Sequence, residues 1–542
     1  MLSTMQDAPL TIATIMRHAT SLNSCRTVTT AVGDGKYRTV TYREIGEQAG
    51  RLANALRGLG ITGDQRVGTF MWNNAEHTVA YLAVPSMGAV LHTLNIRLSP
   101  EQIAYIANEA EDQIVIADVS LTAQLAPVLP QLTTVHTVIV VGAGDLGPLE
   151  ASGKTVLRYD ELLAAHPVDF DWPEIDERSA AAMCYTSGTT GNPKGVVYSH
   201  RSSFLHSMAV CTSNALGIGS DDVALPIVPM FHANAWGMPY AAMMAGADLV
   251  MPDRFLDGRS LIDLIETCRP TVAAAVPTIW NDVQNNLEKT PGHDISSLRL
   301  VACGGSAVPL SLMRTFQERH GVYIQQLWGM TETSPTATTA KPLPGVSDEQ
   351  HWATRATQGR AMCGVEVRIV DDAGAALPND GTAVGEIEVR GPWITGSYYL
   401  GYDSDKFDSG WLRTGDVGVI DDCGFITLTD RAKDVIKSGG EWISSVELEN
   451  HLIAHPAVLE AAVVAVPDDR WQERPLVAVV LHEGASATPA ELREFLADKV
   501  VRWWLPERWT YVDQVPRTSV GKYDKKAIRA RYADGAYDVI TL

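Results

Sequence analysis

Residues 186–195 read T-S-G-T-T-G-N-P-K-G and carry the strongest chemical signal in the chain. Glycines let a backbone approach a ligand closely, and the free N–H groups of such a loop form an anion-binding concavity. Four hydroxyls and Lys194 add donors for phosphate oxygens. The ordinary phosphate loop, G-x-x-x-x-G-K-[ST], does not fit, because Gly188 and Gly191 are too close together and Pro193 precedes the lysine. We therefore predict a phosphate-binding loop of another type, in preference to a Gly-rich surface turn.

The run W-G-M-T-E at residues 328–332 is the second chemical signal. The indole of Trp328 can stack on a planar base, the hydroxyl of Thr331 can hold a phosphate oxygen, and the carboxylate of Glu332 a hard divalent cation. Taken alone, the run fits a strand end that turns into a helix equally well; beside the first loop, it predicts a nucleotide pocket. The G-G-S run at 304–306 is expected to form one wall of that pocket, with an ordinary strand-to-helix turn as the alternative.

Three weaker signals follow along the chain. Asp416 comes after a predicted Gly turn in W-L-R-T-G-D, where a carboxylate can accept two ribose hydroxyls or only stabilise its own turn. Residues 430–443 combine three cations, two glycines and a tryptophan, which favours a ligand-contacting hinge over a solvated charge run. Lys522 lies behind Gly521 near the end of the sequence and, read alone, is a surface lysine.

These residues must be positioned by a chain of 542 residues, a length that predicts two or more domains. The formal net charge of −21 argues against a nucleic-acid partner, which requires a basic face. The seven cysteines are dispersed without a C-x-x-C pair, so reduced thiols of a cytosolic enzyme are expected. The N-terminus lacks a signal-peptide pattern. The most apolar stretch, residues 233–251, is interrupted by polar residues and glycines, and we predict no transmembrane helix.

Short β-rich runs alternate with helical patterns through the first two-thirds of the chain, which predicts α/β layers with a mostly parallel sheet. The predicted strands are at 66–72, 113–117, 137–141, 223–228, 248–251, 272–275 and 298–302, and predicted helices are at 75–89 and 260–268. From residue 365, the strands predicted at 366–370, 385–390, 417–420 and 425–428 indicate a small antiparallel β subdomain. After residue 430 the pattern predicts a separate α+β domain of roughly 110 residues, with helices at 445–454 and 489–499 and strands at 458–466 and 476–481.

The motifs described above, in this order and together with P-R-T-S-V-G-K at 516–522, resemble those of the adenylate-forming enzymes over essentially the whole chain. The runs at 228–236 and 437–445 are most similar to bacterial medium- and long-chain fatty acyl-CoA synthetases. The resemblance implies a large N-terminal domain (1–429) of layered α/β subdomains plus a small β subdomain. It also implies a hinge (430–437) that pivots at Asp430 and a small mobile α+β C-terminal domain (438–542).

The resemblance implies a reaction in two halves. A carboxylate attacks the α-phosphate of ATP and gives acyl-AMP and pyrophosphate; the CoA thiol then attacks the acyl-AMP and gives acyl-CoA and AMP. The implied substrates are a fatty acid, ATP and CoA, with Mg²⁺ as the cofactor and a cytoplasmic location. Peripheral membrane contact and a homodimer stay open, and the acyl chain length cannot be read from the sequence.

The resemblance also assigns roles to individual residues. It makes Lys522, Thr331, Glu332 and Lys437 catalytic, and gives Thr186 and Glu332 to the metal. The residues implied for ATP or AMP are Thr186, Ser187, Gly188, Thr189, Thr190, Gly191, Lys194, Gly304, Gly305, Ser306, Gln326, Leu327, Trp328, Gly329, Thr331, Asp416, Arg431 and Lys433. Those implied for CoA are Ser438, Gly439, Gly440 and Trp442. The family usually has Tyr where Trp328 stands, so the stacking surface is retained and the phenol hydroxyl is lost.

His232 and Trp236 are assigned to the acyl pocket. Trp236 is either a gate between the ATP site and an acyl tunnel or a core tryptophan beneath a helix at 238–245, and His232 either orients the acyl carboxylate or packs beside it.

Four other functions remain open on the sequence. They are CoA ligation of a short, branched or sulfur-containing acid, amino-acid activation for a carrier protein, luciferase-like oxidation, and nucleotide binding without catalysis. Amino-acid activation is disfavoured because that branch usually has Phe-Asp where this chain has Phe231-His232.

Overall fold

A computed structural model describes residues 1, 3–186, 192–371, 373–431, 434, 436–438, 441–468, 470–518 and 523–542, and it describes the backbone alone of Asp430, Arg431, Lys437, Glu441 and Trp442. The described residues form two large, mostly parallel sheets, a small antiparallel sheet and a C-terminal sheet. This arrangement confirms the predicted α/β class with a smaller α+β domain at the C-terminus.

The first sheet ends in a hairpin that leads to the Gly-rich loop. Its strands, in spatial order, are Thr155–Arg158, Thr137–Val141, Asp112–Asp118, Arg66–Phe70, Val90–Thr93, Ala180–Tyr185 and Gly195–Ser199. Central strands such as Thr137–Val141 are buried along their whole length, as expected for a parallel sheet covered on both faces. The last strand runs antiparallel to Ala180–Tyr185, so Thr186 and Lys194 lie together at the end of this strand pair.

The second sheet carries the W-G-M-T-E run. Its strands, in spatial order, are Arg360–Ala361, Thr336–Thr339, Tyr323–Gly329, Leu300–Cys303, Val272–Ala275, Val223–Pro226, Asp248–Met251, Thr27–Gly33 and Lys36–Thr41. The strands from Tyr323–Gly329 through Thr27–Gly33 are parallel. Leu300–Cys303 and Tyr323–Gly329 therefore end at the same edge, which brings the predicted G-G-S wall beside Trp328.

Helices cover both faces of the two large sheets. Helix Ala75–Ser86 is buried on every side, because it lies in the core shared by the two sheets, and its apolar sequence suits that position. The α-helices are Ile12–Arg17, Tyr42–Gly58, Ala75–Ser86, Pro100–Glu109, Thr122–Leu125, Gly147–Glu150, Tyr159–Ala164, His200–Cys211, Met238–Ala245, Gly258–Cys268, Pro277–Lys289, Leu310–His320, Asp348–Ala356, Ser445–Ile453, Pro489–Ala497 and Lys525–Ala533. Within the described residues, none of the helices has the length and apolar character that crossing a bilayer requires.

The small antiparallel sheet corrects one prediction. Its strands are Glu366–Val370, Gly385–Arg390, Phe407–Asp408, Trp411–Ile420 and Ile426–Arg431. The predicted turn before Asp416 is wrong: Trp411–Ile420 is one strand, and Gly415, at φ +74°, lies in an irregular stretch of its pairing with Gly385–Arg390. Glycine tolerates this conformation, so the irregularity displaces Asp416 without ending the strand.

The C-terminal sheet contains the strands Ile436–Ser438, Glu441–Ile443, Val458–Asp468, Gln472–Leu481, Arg508–Tyr511 and Ile540–Thr541. It has its own core, in which the helices Ser445–Ile453 and Pro489–Ala497 cover one face, and helix Lys525–Ala533 packs near Val458–Asp468 on the other side. A separate core supports the predicted α+β domain.

Candidate active site

A cavity of about 400 Å³ lies between the large sheets and the C-terminal domain. Seven residues predicted from the sequence line it, namely Gly305, Ser306, Gln326, Leu327, Trp328, Gly329 and Asp416. The opposite wall belongs to the C-terminal domain and includes Glu449, Asn450, Lys525, Lys526 and Arg529. The predicted nucleotide wall and the C-terminal domain thus face the same space.

Trp328 and Asp416 contact each other at this cavity. The indole Nε1–H of Trp328 donates a hydrogen bond to Oδ2 of Asp416 at 2.8 Å, although the two residues lie 88 positions apart in the chain. Both side chains are more than 90% buried. The sequence implied only the loss of a phenol hydroxyl at Trp328; the structure shows that the indole N–H supplies a donor of its own and directs it to the predicted ribose ligand.

Asp416 is also tied to the predicted hinge through the backbone. It pairs with Arg431 in the antiparallel register between Trp411–Ile420 and Ile426–Arg431, and Val417 pairs with Asp430. Asp430 and Arg431 therefore end a strand of the β subdomain, directly beside the candidate ribose site. Lys433 lies outside the described residues.

Glycines permit the close packing behind Trp328. A Cβ added at Gly329 would lie 1.7 Å from the carbonyl oxygen of Pro335, and one added at Gly304 would lie 2.7 Å from the carbonyl oxygen of Leu327. The amide of Gln326 is fully engaged: its Oε1 accepts from the N–H of Val308 and its Nε2 donates to the carbonyl of Thr357, both at 2.6 Å. Gln326 consequently fixes the wall of the cavity through its backbone partners.

At the Gly-rich loop, the structure describes the two ends. The N–H of Thr186 donates to the carbonyl of Lys194 at 2.9 Å, and the N–H of Lys194 donates to Oγ1 of Thr186 at 3.1 Å. These bonds close the loop at its base. The remaining predicted phosphate residues, Ser187, Gly188, Thr189, Thr190 and Gly191, lie outside the described residues.

Glu332 lies in a short 3₁₀ helix, Thr331–Thr333, that follows Trp328. The hydroxyl of Tyr398 donates to Oε1 of Glu332, and the hydroxyl of Tyr198 donates to the carbonyl of Thr331 at 2.7 Å. Burial and then the Glu332 carboxylate raise the pKa of Tyr398, so it remains a protonated donor. Among the described residues, no second hydrogen bond reaches this carboxylate, which leaves Oε2 without a protein donor there.

Lys194 forms an ion pair with Asp403. Its ammonium also lies 5.5 Å from the centre of the Tyr398 ring, so Tyr398 touches both the candidate phosphate ligand and the candidate metal ligand. Burial, followed by the nearby Lys406 ammonium, lowers the pKa of Lys194. Tyr398, Asp403 and Lys406 belong to a segment, residues 398–406, that sequence analysis did not single out.

His232 precedes a left-handed turn that contains Trp236. Residues 233–237 have φ between +42° and +72°, and all five are buried. Oδ1 of Asn234 accepts hydrogen bonds from Sγ of Cys184 at 3.1 Å and from the hydroxyl of Tyr81 at 3.3 Å. Trp236 thus occupies a strained backbone position next to helix Met238–Ala245, which was predicted with these bounds. The Trp236 side chain is buried in the hydrophobic core that the two large sheets share.

The residues predicted for CoA are partly described. Lys437 and Trp442 pair in the hairpin Ile436–Ser438/Glu441–Ile443, while Gly439 and Gly440 lie outside the described residues, as does Lys522. Ser438 is fully buried, and its hydroxyl accepts from Nη1 of Arg474 at 3.2 Å. The side chain of Ser438 is therefore directed into the C-terminal domain.

Sequence reasoning missed Tyr398, Asp403 and Arg474. Tyr398 and Asp403 lie 66 and 209 residues from their partners, and no local motif surrounds them. The sequence offers only one weak indication of this segment: the aromatic pair Y-Y at 398–399 stands shortly before a glycine.

Two family profiles match this chain. The profile of the AMP-binding enzyme covers residues 21–399, and that of the AMP-binding enzyme C-terminal domain covers residues 447–522. The first of these alone spans well over half of the chain.

Individual proteins match over almost the full length. A 3-methylmercaptopropionyl-CoA ligase from Ruegeria pomeroyi is 42% identical and a long-chain-fatty-acid–CoA ligase from Thermus thermophilus is 43% identical, each over 98% of this chain and over 99% and 97% of the relative. The crystal structure of the anthranilate CoA ligase AuaEII in complex with anthranoyl-AMP is 25% identical and superposes with a TM-score of 0.88, over 98% of this chain and 100% of that protein.

Proposed function

This chain belongs to the AMP-binding enzyme family, and we propose that it is an ATP-dependent, AMP-forming acid–CoA ligase for medium- or long-chain fatty acids. In the first half-reaction a carboxylate and ATP give acyl-AMP and pyrophosphate. In the second, CoA and acyl-AMP give acyl-CoA and AMP. The relatives named above are acid–CoA ligases by name, and the long-chain enzyme from Thermus thermophilus supports the fatty-acid substrate.

One observation carries the proposal: Trp328 and Asp416 stand side by side in the cavity between the domains. A flat aromatic ring offers a surface to a base, and the adjacent carboxylate can accept ribose hydroxyls. The 3₁₀ helix with Glu332 follows Trp328 directly. The candidate nucleoside and metal ligands are therefore close in the chain, which supports one site for Mg-ATP.

Residues that bind phosphate are proposed to act at two different positions of ATP in the first half-reaction. Lys194 and the loop around it are proposed to hold the pyrophosphate that leaves, while Thr331 and Lys522 bind the α-phosphate at which the bond breaks. Preorganised donors of this kind are each typically worth about 10²–10³ in rate. No general base is needed, because the attacking carboxylate is already ionised near neutral pH. His232 therefore orients or packs beside the acyl group.

The oxygen donors fit Mg²⁺. The Glu332 carboxylate keeps one oxygen that no described residue hydrogen-bonds, and Thr186 adds a hydroxyl; both are ligand types that Mg²⁺ accepts. When bound, the cation would neutralise charge that develops on the phosphates. Tyr398 holds the carboxylate in place for this role, as a hydrogen bond to the ligand does in many metal sites.

In the second half-reaction, we propose that residues 438–542 rotate about Asp430 and replace Lys522 with the hairpin Ile436–Ser438/Glu441–Ile443, with Ser438, Gly439 and Gly440 as the proposed CoA residues. Because the Ser438 hydroxyl is bonded to Arg474, the hairpin would line the pantetheine path with backbone, aided by Lys437 and Trp442. The pairing of Asp416 with Arg431 supports a pivot beside the proposed ribose site.

A second candidate substrate is a short sulfur-containing acid. The 42% identity to a 3-methylmercaptopropionyl-CoA ligase favours it, since it nearly equals the 43% identity to the long-chain enzyme. Buried Met230, Met238 and Met243 lie around the left-handed turn, and methionine adapts to apolar groups of varied shape. Amino-acid activation is disfavoured, because an ammonium would need a buried carboxylate partner and His232 occupies the place usually taken by that carboxylate.

The experiment is AMP release that depends on CoA, measured as kcat/KM for straight-chain acids from about C3 to C20, with amino acids as controls. Pentanoate is the matched control for 3-methylmercaptopropionate, because the two differ only by CH₂ in place of sulfur. A maximum at medium or long chains supports the fatty-acid assignment. A preference for the sulfur acid over pentanoate, without turnover of long chains, supports the second candidate, and turnover of amino acids alone overturns both.

A further inference from the structure

Residues 398–406 contact the two groups that the proposed function gives to Mg-ATP. Tyr398 donates to the carboxylate of Glu332, and Asp403 forms an ion pair with the ammonium of Lys194. A third contact anchors the segment to helix Pro100–Glu109, which packs on the first sheet, because the hydroxyl of Tyr402 donates to Oε1 of Glu109 at 3.0 Å. The segment is therefore fixed at both large sheets.

Binding of ATP would affect the Asp403–Lys194 ion pair differently from the hydrogen bond between Tyr398 and Glu332. Tyr398 is neutral and leaves one oxygen of Glu332 to the cation, so its bond is compatible with Mg-ATP. Asp403 carries a negative charge on the same ammonium that a phosphate oxygen would bind. A carboxylate and a phosphate of ATP repel each other at one cation, so the contact of Asp403 with Lys194 opposes phosphate binding there.

The backbone gives Asp403 this position. Asp403 has φ +47°, and Leu400 and Gly401, at +60° and +76°, also lie in the left-handed region. Non-glycine residues adopt this region at a cost, and the Tyr402 and Lys194 contacts hold the segment there. The Asp403 side chain is about one-third exposed, so it can leave Lys194 without unpacking a core.

We propose that Asp403 is a built-in competitor for the phosphate-binding ammonium of Lys194 and thereby sets the affinity for ATP and pyrophosphate. The inference rests on the proposed function, since it takes Lys194 to be a phosphate ligand. In the absence of nucleotide, Asp403 neutralises Lys194; when ATP binds, a phosphate replaces the carboxylate. The same competition favours release of pyrophosphate after the first half-reaction.

The test is direct titration of ATP, and separately of inorganic pyrophosphate, into the wild type and Asp403→Asn. Part-exposed ion pairs are worth up to about 1 kcal/mol, so we expect both ligands to bind about three- to fivefold more tightly to the variant. The KM for ATP should fall by a similar factor, while the KM for the acid stays unchanged. Asp408→Asn is the matched control, because Asp408 is exposed, lies in the neighbouring strand and contacts Ser409.

Two further variants make the test specific. Asp403→Ser should tighten the binding of both ligands as Asp403→Asn does. Agreement between the two variants would exclude a direct contact of the new amide with phosphate as the cause. In a Lys194→Gln background, Asp403→Asn should no longer tighten binding; equal tightening with and without Lys194 would overturn the competition. Unchanged or weaker binding in the single variants overturns it as well. A wild type that binds neither ATP nor pyrophosphate would instead overturn the proposed function.

Discussion

The two ends of the proposed nucleotide site differ in what holds their side chains. At the nucleoside end, Trp328 is bonded to Asp416, and both are buried before any ligand arrives. At the phosphate end, Lys194 is paired with Asp403, a group of the same charge sign as the expected ligand. The nucleoside end is therefore preorganised for binding. At the phosphate end, Lys194 must exchange Asp403 for a phosphate of the nucleotide.

The largest effect is expected at the phosphate end, from Lys522→Ala. Loss of a cation at the α-phosphate should slow acyl-AMP formation by about 10²–10³, while conversion of supplied acyl-AMP to acyl-CoA continues. ATP–pyrophosphate exchange and single-turnover thioester formation measure the two halves. Lys499→Ala, which removes an exposed lysine of the same domain, is the control. Equal loss in both half-reactions would contradict the alternation of the two domains.

A smaller effect is expected at the nucleoside end, from Asp416→Ala. The change removes a charged acceptor and leaves the buried indole N–H of Trp328 unpaired, at a cost of about 1–3 kcal/mol. We expect the KM for ATP to rise about 10- to 100-fold and the thermal midpoint to fall. Asp416→Asn keeps an acceptor for the indole N–H. We therefore expect its thermal midpoint to return close to the wild-type value, while its KM for ATP stays raised. A variant with normal ATP binding would show that the nucleoside end is not preorganised.

The smallest effect is expected from Tyr398→Phe, which removes the donor to Glu332 and keeps the ring. Groups that orient a metal-binding carboxylate are worth about tenfold or more in affinity or activity. We expect kcat to fall about tenfold and the Mg²⁺ concentration for half-maximal rate to rise, with the KM for the acid unchanged. Tyr399→Phe, at the adjacent position, serves as the control. If Tyr398→Phe lowered the Mg²⁺ requirement, Tyr398 would be a competitor like Asp403.

The sequence predicted the parts of the fold that depend on local pattern. The strands Thr137–Val141, Asp248–Met251 and Val272–Ala275 have the predicted bounds, because each is an apolar run of strand length. The strand around Asp416 was mistaken for a turn, because Gly415 is a turn signal locally. Its pairing with Gly385–Arg390, a contact outside the local pattern, keeps the strand continuous.

The candidate site also contains residues that the sequence could predict and residues that it could not. The residues of the nucleoside wall lie in short sequence motifs, so the sequence could bring Gly305, Trp328 and Asp416 together although Asp416 lies within a strand. The partners at the phosphate end could not be found, because Asp403 is an ordinary surface residue by type and reaches Lys194 only through the fold. The left-handed conformation of residues 233–237 was missed as well, because alanine and tryptophan do not indicate positive φ.

That turn inverts the usual rules of substitution. Four of its five residues carry a Cβ in a conformation that costs on the order of 1–2 kcal/mol for each of them, and Asn234 is held there by Cys184 and Tyr81. Glycine, which weakens helices and strands, would here relieve strain at Ala235, and a β-branched residue would increase it. Any effort to reshape the proposed acyl pocket by mutating this segment must first consider whether the new residue tolerates positive φ, and only then its side-chain volume.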